Sequence, residues 1–244
     1  MLAPQSSRRL QFNQTLRVGR LLRRYKRFLA DVELDDGTCL TAVCPNTGSM
    51  LVCNTPGSRV WLSSSDAPTR KYRHTWELVE VGGVLIGINT ALPNKLVREA
   101  ITLGVISELG GYSSVRAEVP FGVERSRVDL LLQDPARADC YVEVKNVTAA
   151  VEQGIAVFPD AVSARGAKHL RELMRLTADD RRAVLIYCVQ RGDVSQVRPA
   201  DNIDPLYGRT LRDALAAGVE VLAYRARVTS EAINLCEPIE VVCP

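Results

Sequence analysis

The sequence predicts a mixed fold in two parts: an N-terminal β-barrel of OB type over residues 1–88 and a C-terminal α/β domain over residues 89–244. Three observations predict it. Residues 12–90 hold short strand-like runs separated by turn formers, with no long helical pattern, as in small barrels. Beyond residue 89, apolar residues at helical spacing alternate with strand-like runs, as in helices packed on a central sheet. The 244 residues, 46% of them hydrophobic, suffice for one large core or two small ones.

In the first part, "RLLRRYKRFLADVEL" reads as one long extended stretch. "DDGT" at 35–38 is a hairpin signal and "TCLTAVC" the returning strand. "CPNTGSM" is a loop by its Pro45, Asn46 and Gly48. "SRVWLSS" is a further strand, and "HTWELVEV", "GG" and "VLIGIN" make a second hairpin. Trp61 and Trp76 are read as barrel core.

In the second part, "LPNKLVREAITLGVISELGGY" is a helix by the spacing of Leu96, Val97, Ala100, Ile101, Ile106 and Leu109, with Asn94 as its cap and Gly110–Gly111 as its end. "SSVRAEVPF", "SRVDLLLQ" and "CYVEVKNVT" are strands. "SARGAKHLRELMRLT" is a second helix capped by Ser163. "RAVLIYCVQ" is apolar almost throughout, so it is buried on both faces. "DPLYGRTLRDALAAG" is a third helix stopped by Gly218, and "VEVLAYRARV" a last strand.

Composition excludes some classes and leaves others open. No apolar run reaches the ~18 residues of a membrane span, and the N-terminus shows no apolar secretory core, so a cytoplasmic protein is expected. Seven cysteines without a CxxC pair read as free thiols in a reducing compartment rather than a zinc framework. Net charge is only +3, yet the first 30 residues hold Arg8, Arg9, Arg17, Arg20, Arg23, Arg24, Lys26 and Arg27 and no acid. Such asymmetry points to a polyanion partner.

The chemistry-bearing stretch is "YVEVKNVT" at 141–148. Alternation puts Glu143 and Lys145 on one face and Val142 and Val144 on the other. The turn-rich "DPARAD" precedes it. A hairpin centred on Ala136 sets Asp129 opposite Glu143, with Cβ atoms about 5 Å apart. Two carboxylates that close repel unless a cation lies between them. Mg²⁺ or Mn²⁺, which prefer oxygen ligands, are the cofactors expected, with Asp129 and Glu143 as ligands. Lys145 would orient water or stabilise phosphate charge. The alternative is a solvated strand, and one residue of slip would send one carboxylate to the other face.

The order of these elements, with D on one strand and ExK on the next, resembles the PD-(D/E)xK nuclease superfamily. The chain lacks that family's proline before Asp129. Several such nucleases bring a glutamate from the first helix to the metal, and Glu99 is the matching residue; the alternative is an ordinary exposed helix glutamate. Read together, "RYKRFLADV", "CPNTGSM", "RKYRHTWELV", "GYSSVRAEV", "ERSRVDLLL", "CYVEVKNVT", "FPDAVSARGAKHLRELM" and "GVEVLAY" resemble the sugar fermentation stimulation protein A family over nearly the whole chain. The resemblance implies DNA binding, a link to regulation of sugar and notably maltose fermentation, and an OB-like domain joined to a PD-(D/E)xK-like one. Where the family pattern carries a histidine before Cys-Pro, this chain has Val43.

For DNA, "RRYKRF" supplies both ingredients of a single-strand groove: Arg23, Arg24, Lys26 and Arg27 interleaved with Tyr25 and Phe28. As a strand it would set Arg23, Tyr25 and Arg27 on one face; the alternative is an edge strand blunted by charge with Phe28 in the core. "RKYRHTW" is a second basic patch, with His74 as a surface or hydrogen-bonded residue. On the second helix, Lys168, Arg171 and Arg175 form one stripe opposite Ala167, Leu170, Leu173 and Met174. His169 is either a proton donor to a leaving oxygen or structural. Three functions remain open: a metal-dependent DNA nuclease using Asp129, Glu143, Lys145 and Glu99, a non-catalytic DNA-binding regulator of sugar genes on a relict nuclease fold, or a sugar-responsive enzyme unrelated to nucleic acid, for which the sequence shows no sugar site.

Overall fold

The structure is a computed structural model that describes residues 10–121, 126–152 and 154–244. Arg8 and Arg9 of the basic N-terminal stretch, and Glu124 and Arg125 of the "ERSRVDLLL" motif, lie outside the described residues.

The N-terminal part is a closed barrel. Its strands are β1 (Arg17–Tyr25), β2 (Leu29–Leu34), β3 (Cys39–Val43), β4 (Arg59–Ser64) and β5 (His74–Val81), with β6 (Val84–Gly87) added beside β5. β2, β1, β4 and β5 pair antiparallel in that order, β3 pairs β2, and a parallel pairing of β3 with β5 closes the ring. The tight β5–β6 turn needs positive φ at both central residues, and Gly82 (59°) and Gly83 (80°) supply it. Leu21, Val32, Val60, Leu62, Trp76 and Ile86 fill the interior.

Residues 20–34 are not one extended stretch. Lys26 and Arg27, at φ 50° and 66°, turn the chain between β1 and β2. No Gly, Asn or Pro marks the spot, because side-chain bonds to a distant loop hold the turn: Arg24 Nη2 donates to Asn46 O at 2.9 Å and Arg27 Nε to Thr47 O at 2.9 Å. Phe28 at its end is 47% exposed, so it is not in the core. The "CPNTGSM" loop closes the barrel, its own Cys44 and Met50 fully buried together with Cys53.

The C-terminal part runs α1 (Pro93–Thr102), β7 (Ser114–Phe121), β8 (Ser126–Gln133), β9 (Cys140–Val147), β10 (Ala150–Glu152), β11 (Gly154–Phe158), α2 (Ala164–Ala178), β12 (Arg182–Val189), β13 (Val194–Pro199), α3 (Pro205–Ala216), β14 (Glu220–Val228), β15 (Ile233–Pro238) and β16 (Glu240–Val241). The central sheet has the order β15-β14-β12-β9-β8-β7, and β12, buried along nearly its whole length, lies parallel to both β9 and β14. A second sheet, β10-β11-β13-β16, went unread in the sequence. Its strands are short, and β13 ends in a proline, so neither period nor propensity announced them.

α1 is shorter than its spacing predicted. It stops at Thr102, and Ile106 and Leu109 are buried through a separate 3-10 turn (Ser107–Leu109). Leu92, not Asn94, holds the N-cap position, with Pro93 opening the helix. Ser163 does cap α2, accepting from Gly166 N, and Gly218 (φ 87°) follows α3.

α1 covers one face of the central sheet and α2 and α3 the other. The α1-side core also takes in Leu16, Trp61 and Leu78 of the barrel, so Trp61 belongs to the junction rather than the barrel interior. A polar clasp adds to this apolar contact. Ser49 Oγ donates to Asp160 O at 2.6 Å, and Met50 N donates to Asp160 Oδ2 at 3.0 Å. Among the described residues, no helix is long and apolar enough to cross a membrane. Asp160→Ala strips the Met50 N–H of its acceptor, so it should cost about 1–3 kcal/mol. Urea unfolding checks this, and a midpoint equal to wild type would contradict the clasp.

Candidate active site

The β8–β9 hairpin has the register read from the sequence: Leu130 faces Val142, Leu131 faces Tyr141 and Leu132 faces Cys140. Continuing it sets Asp129 against Glu143. The ladder ends there because the Asp129 side chain takes its place: Val144 N donates to Asp129 Oδ2 at 2.7 Å. Asn94 Nδ2, from the first turn of α1, donates to Oδ1 at 2.8 Å. The helix N-terminus adds its partial positive charge on the same side.

Glu143 is 2% exposed. Lys145 Nζ donates to its Oε1 at 2.6 Å, and the His169 ring from α2 bonds the same oxygen. Arg165 Nε donates to His169 Nε2 at 3.2 Å, which leaves His169 Nδ1 to carry the proton toward Glu143. The same end of α2 packs tightly on α3: a Cβ at Gly166 would sit 3.0 Å from the Tyr207 ring. The other oxygen, Glu143 Oε2, is buried and has no hydrogen-bond partner among the described residues.

The two carboxylates differ in electrostatics. Burial, then the charge of Glu143, pushes the Asp129 carboxyl above its ordinary range, against smaller lowering by Val144 N–H and Asn94. Burial also acts upward on Glu143, but His169 and Lys145 together outweigh it and hold that carboxyl below its ordinary range. Glu143 is therefore the fixed anion and Asp129 the strained one.

A divalent cation fits this donor set. An orphaned buried carboxylate oxygen beside a second, repelled carboxylate is an arrangement that positive charge would relieve, and hard cations take carboxylate oxygens along with waters. Among the described residues no group of three or more His, Cys, Asp and Glu side chains forms a ready cage. Glu99 does not complete it. Five residues beyond Asn94, it projects about 140° around α1, into a separate cavity lined by Leu103, Arg227, Asn234 and Cys236, where burial raises its carboxyl. The α1 side chain at the site is Asn94, which the sequence reading had spent on a helix cap. His169 was weighed but not singled out; its i, i+4 spacing from Arg165 was the available signal.

The basic hairpin divides. Arg23 bonds Asp31 at 2.8 Å and lies over the Tyr25 ring, whose hydroxyl also donates to Asp31. Arg24 Nη2 donates to Asn46 O and Gly48 O as well as Arg27 O, and Arg27 Nε donates to Thr47 O. These two arginines tie the hairpin to the "CPNTGSM" loop, so Arg24 has a structural task. Because Arg27 sits in the turn, it does not continue the face of Arg23 and Tyr25. Lys26, Arg27 and Phe28 are the exposed tip, and on α2 Arg171 is exposed and Lys168 half-buried. His74 is held by Ser64 Oγ at 3.1 Å.

An OB barrel fused to a mixed α/β domain, with a buried Glu143 between half-buried Asp129 and Lys145 on the central hairpin, defines the class of protein. Residues 22–88 match the family model described as the SfsA N-terminal OB domain, and residues 91–232 match the sugar fermentation stimulation protein RE domain. A sugar fermentation stimulation protein homolog from Thioalkalivibrio sulfidiphilus is 62% identical over 219 residues, covering 90% of this chain and 92% of its own. One from Geobacter metallireducens is 60% identical over 225 residues, covering 92% and 96%. A solved structure described as Pyrococcus furiosus SfsA in complex with Ca²⁺ superposes with a TM-score of 0.86 at 28% identity, over 96% of this chain and 99% of that one. The chain belongs to the sugar fermentation stimulation protein family.

The raised Asp129 carboxyl fixes a sign. A carboxyl whose folded pKa lies above its unfolded value contributes stability at acid pH and loses it as pH rises through the folded value. Asp129→Asn removes that loss, and Asn94 can turn its amide to match. Metal-free Asp129→Asn should melt about 2–4 °C above wild type at neutral pH, with the gap shrinking toward pH 4. Calorimetry across that range checks it; a variant less stable than wild type at pH 7 would contradict the electrostatic assignment.

Proposed function

We propose that this protein binds DNA and hydrolyses phosphodiester bonds with the help of Mg²⁺ or Mn²⁺ held by Asp129 and Glu143. The observation that carries the proposal is the buried, unpartnered Oε2 of Glu143 opposite Asp129, with Lys145 2.6 Å from the other Glu143 oxygen. A relative with the same fold is described in complex with Ca²⁺, an ion that also takes oxygen ligands. The resemblance of the D…ExK arrangement to PD-(D/E)xK nucleases points the same way.

When bound, such an ion supplies charge neutralisation at a phosphoryl oxygen and a lowered pKa for an attacking water. The chain's own residues do the rest. His169 and Arg165 hold Glu143 in one orientation. Asn94 and the Val144 N–H hold Asp129. The Lys145 ammonium, 2.6 Å from Glu143 Oε1, would stabilise charge developing on a phosphate bound beside it. The exposed tip of Lys26, Arg27 and Phe28, with Lys168 and Arg171 on α2, supplies phosphate contacts and one stacking surface. Arg23 and Tyr25 stay on the proposed path, with part of their capacity spent on Asp31.

The test is cleavage of single-stranded, duplex and branched DNA by purified protein in Mg²⁺ or Mn²⁺. Lys145→Met should lower the rate about 10²–10³-fold and leave binding in place, while Lys26→Ala should weaken binding and flatten its salt dependence by about one phosphate contact. Binding without cleavage of any substrate would leave a non-catalytic DNA-binding protein; absence of binding at low salt would end the proposal.

A further inference from the structure

The "CPNTGSM" loop and the "FPDAV" segment, residues 158–162 between the end of β11 and α2, meet at one cleft. It holds about 190 Å³ and is lined by Asn46 of the "CPNTGSM" loop, Thr90 of the linker, Asn146 and Thr148 at the end of β9, and Phe158 and Asp160 of the "FPDAV" loop. Its walls are fixed from behind. Gly48 N donates to Asn46 Oδ1 at 2.9 Å, Thr90 Oγ1 to Pro45 O at 2.8 Å, Gln190 Nε2 to Asn146 Oδ1 at 2.7 Å, and Arg191 Nη1 to Thr148 O at 2.9 Å.

What these bonds leave over defines the ligand. Asn46 and Asn146 each spend the amide oxygen, and neither Nδ2 has a hydrogen-bond partner among the described residues. Asp160 spends Oδ2 on Ser49 and Met50 and keeps Oδ1. The lining therefore carries two amide donors and one strong acceptor, beside Phe158, whose ring packs on Tyr187 and Tyr207. Its lining contains no Lys or Arg, so a phosphate has no counter-charge there and Asp160 would repel it. The volume falls short of the ~300–1,000 Å³ that enclose a whole small ligand; it suits one ring carried by a larger molecule. Mixed donors and acceptors on a flat ring are the chemistry of a nucleobase edge. Asn146 follows Lys145 on β9, about 3.8 Å away along the backbone, with its side chain on the opposite face, so a strand reaching both crosses the end of β9.

We propose that this cleft receives one unpaired nucleobase of the bound strand, across the end of β9 from the phosphate held at Lys145, with Asn46, Asn146 and Asp160 reading its edge. The inference rests on the DNA-binding reading above and adds a substrate class: the base cannot enter while paired, so the substrate is single-stranded or carries a base turned out of its stack.

The experiment is an abasic scan. A fluorescent single-stranded oligonucleotide is titrated with the full chain in Ca²⁺, and one abasic nucleotide is walked along the strand. Removal of the base at one position should weaken binding about tenfold, with little effect elsewhere, and a fully paired duplex should bind less tightly than the single strand. Asn146→Asp keeps the acceptor for Gln190 and replaces the free donor, and Asn46→Asp does the same while keeping the acceptor for Gly48 N. The first should abolish the sensitive position and the second reduce it. A scan with no sensitive position, a sensitive position unchanged in both variants, or displacement of the strand by a free hexose would each overturn the cleft assignment while the DNA-binding reading stands. Absence of binding to any oligonucleotide would overturn both.

Discussion

Burying two carboxylates where β8 and β9 part is the constraint on which the rest of the C-terminal domain depends. Removing a charge from water costs several kcal/mol unless it is paired and hydrogen-bonded. Each carboxylate has its own compensation. Glu143 is paired with Lys145 and bonded by His169, so it remains an anion. Asp129 receives one backbone N–H and one amide, and it still faces the charge of Glu143. The compensation is incomplete in one place, the bare Oε2 of Glu143. A protein selected for stability alone would have little reason to keep that arrangement, and strain of this kind gathers at functional sites.

The surrounding elements are arranged to hold this group. α1 contributes Asn94 because Pro93 starts the helix beside β8. α2 contributes His169 and Arg165 from the end that packs on Tyr207 of α3 at Gly166. The "FPDAV" loop that leads into α2 also grips the barrel through Asp160. The same barrel loop is tied to the basic hairpin by Arg24 and Arg27. A chain of named contacts thus connects the exposed cationic tip to the helix that positions Glu143, and the polar cleft lies along it.

Much of this was legible in the sequence where local chemistry decides the outcome. The β8–β9 register followed from the turn formers around Ala136, and the burial of β12 from its unbroken apolar run. The β5–β6 turn followed from two glycines. Legibility ended where a tertiary contact overrides a local signal. The turn at Lys26–Arg27 has no turn residue, since Arg24 and the neighbouring loop hold it from outside. Glu99 matched a family pattern by type, but the helix phase that brings Asn94 to Asp129 turns Glu99 into another cavity. Arg24 read as a phosphate contact because the sequence shows its charge and not the three carbonyls it meets. Asn94 read as a cap because no single sequence shows that a carboxylate lies across from it.

The central claim is that Glu143 Oε2 and Asp129 together form a cation site. A crystal soaked in Mn²⁺ and measured at the manganese absorption edge tests it most directly. The account predicts an anomalous peak between these two side chains, absent in crystals of Glu143→Gln. Fully ordered density for both carboxylates with no peak between them at saturating Mn²⁺ would contradict it.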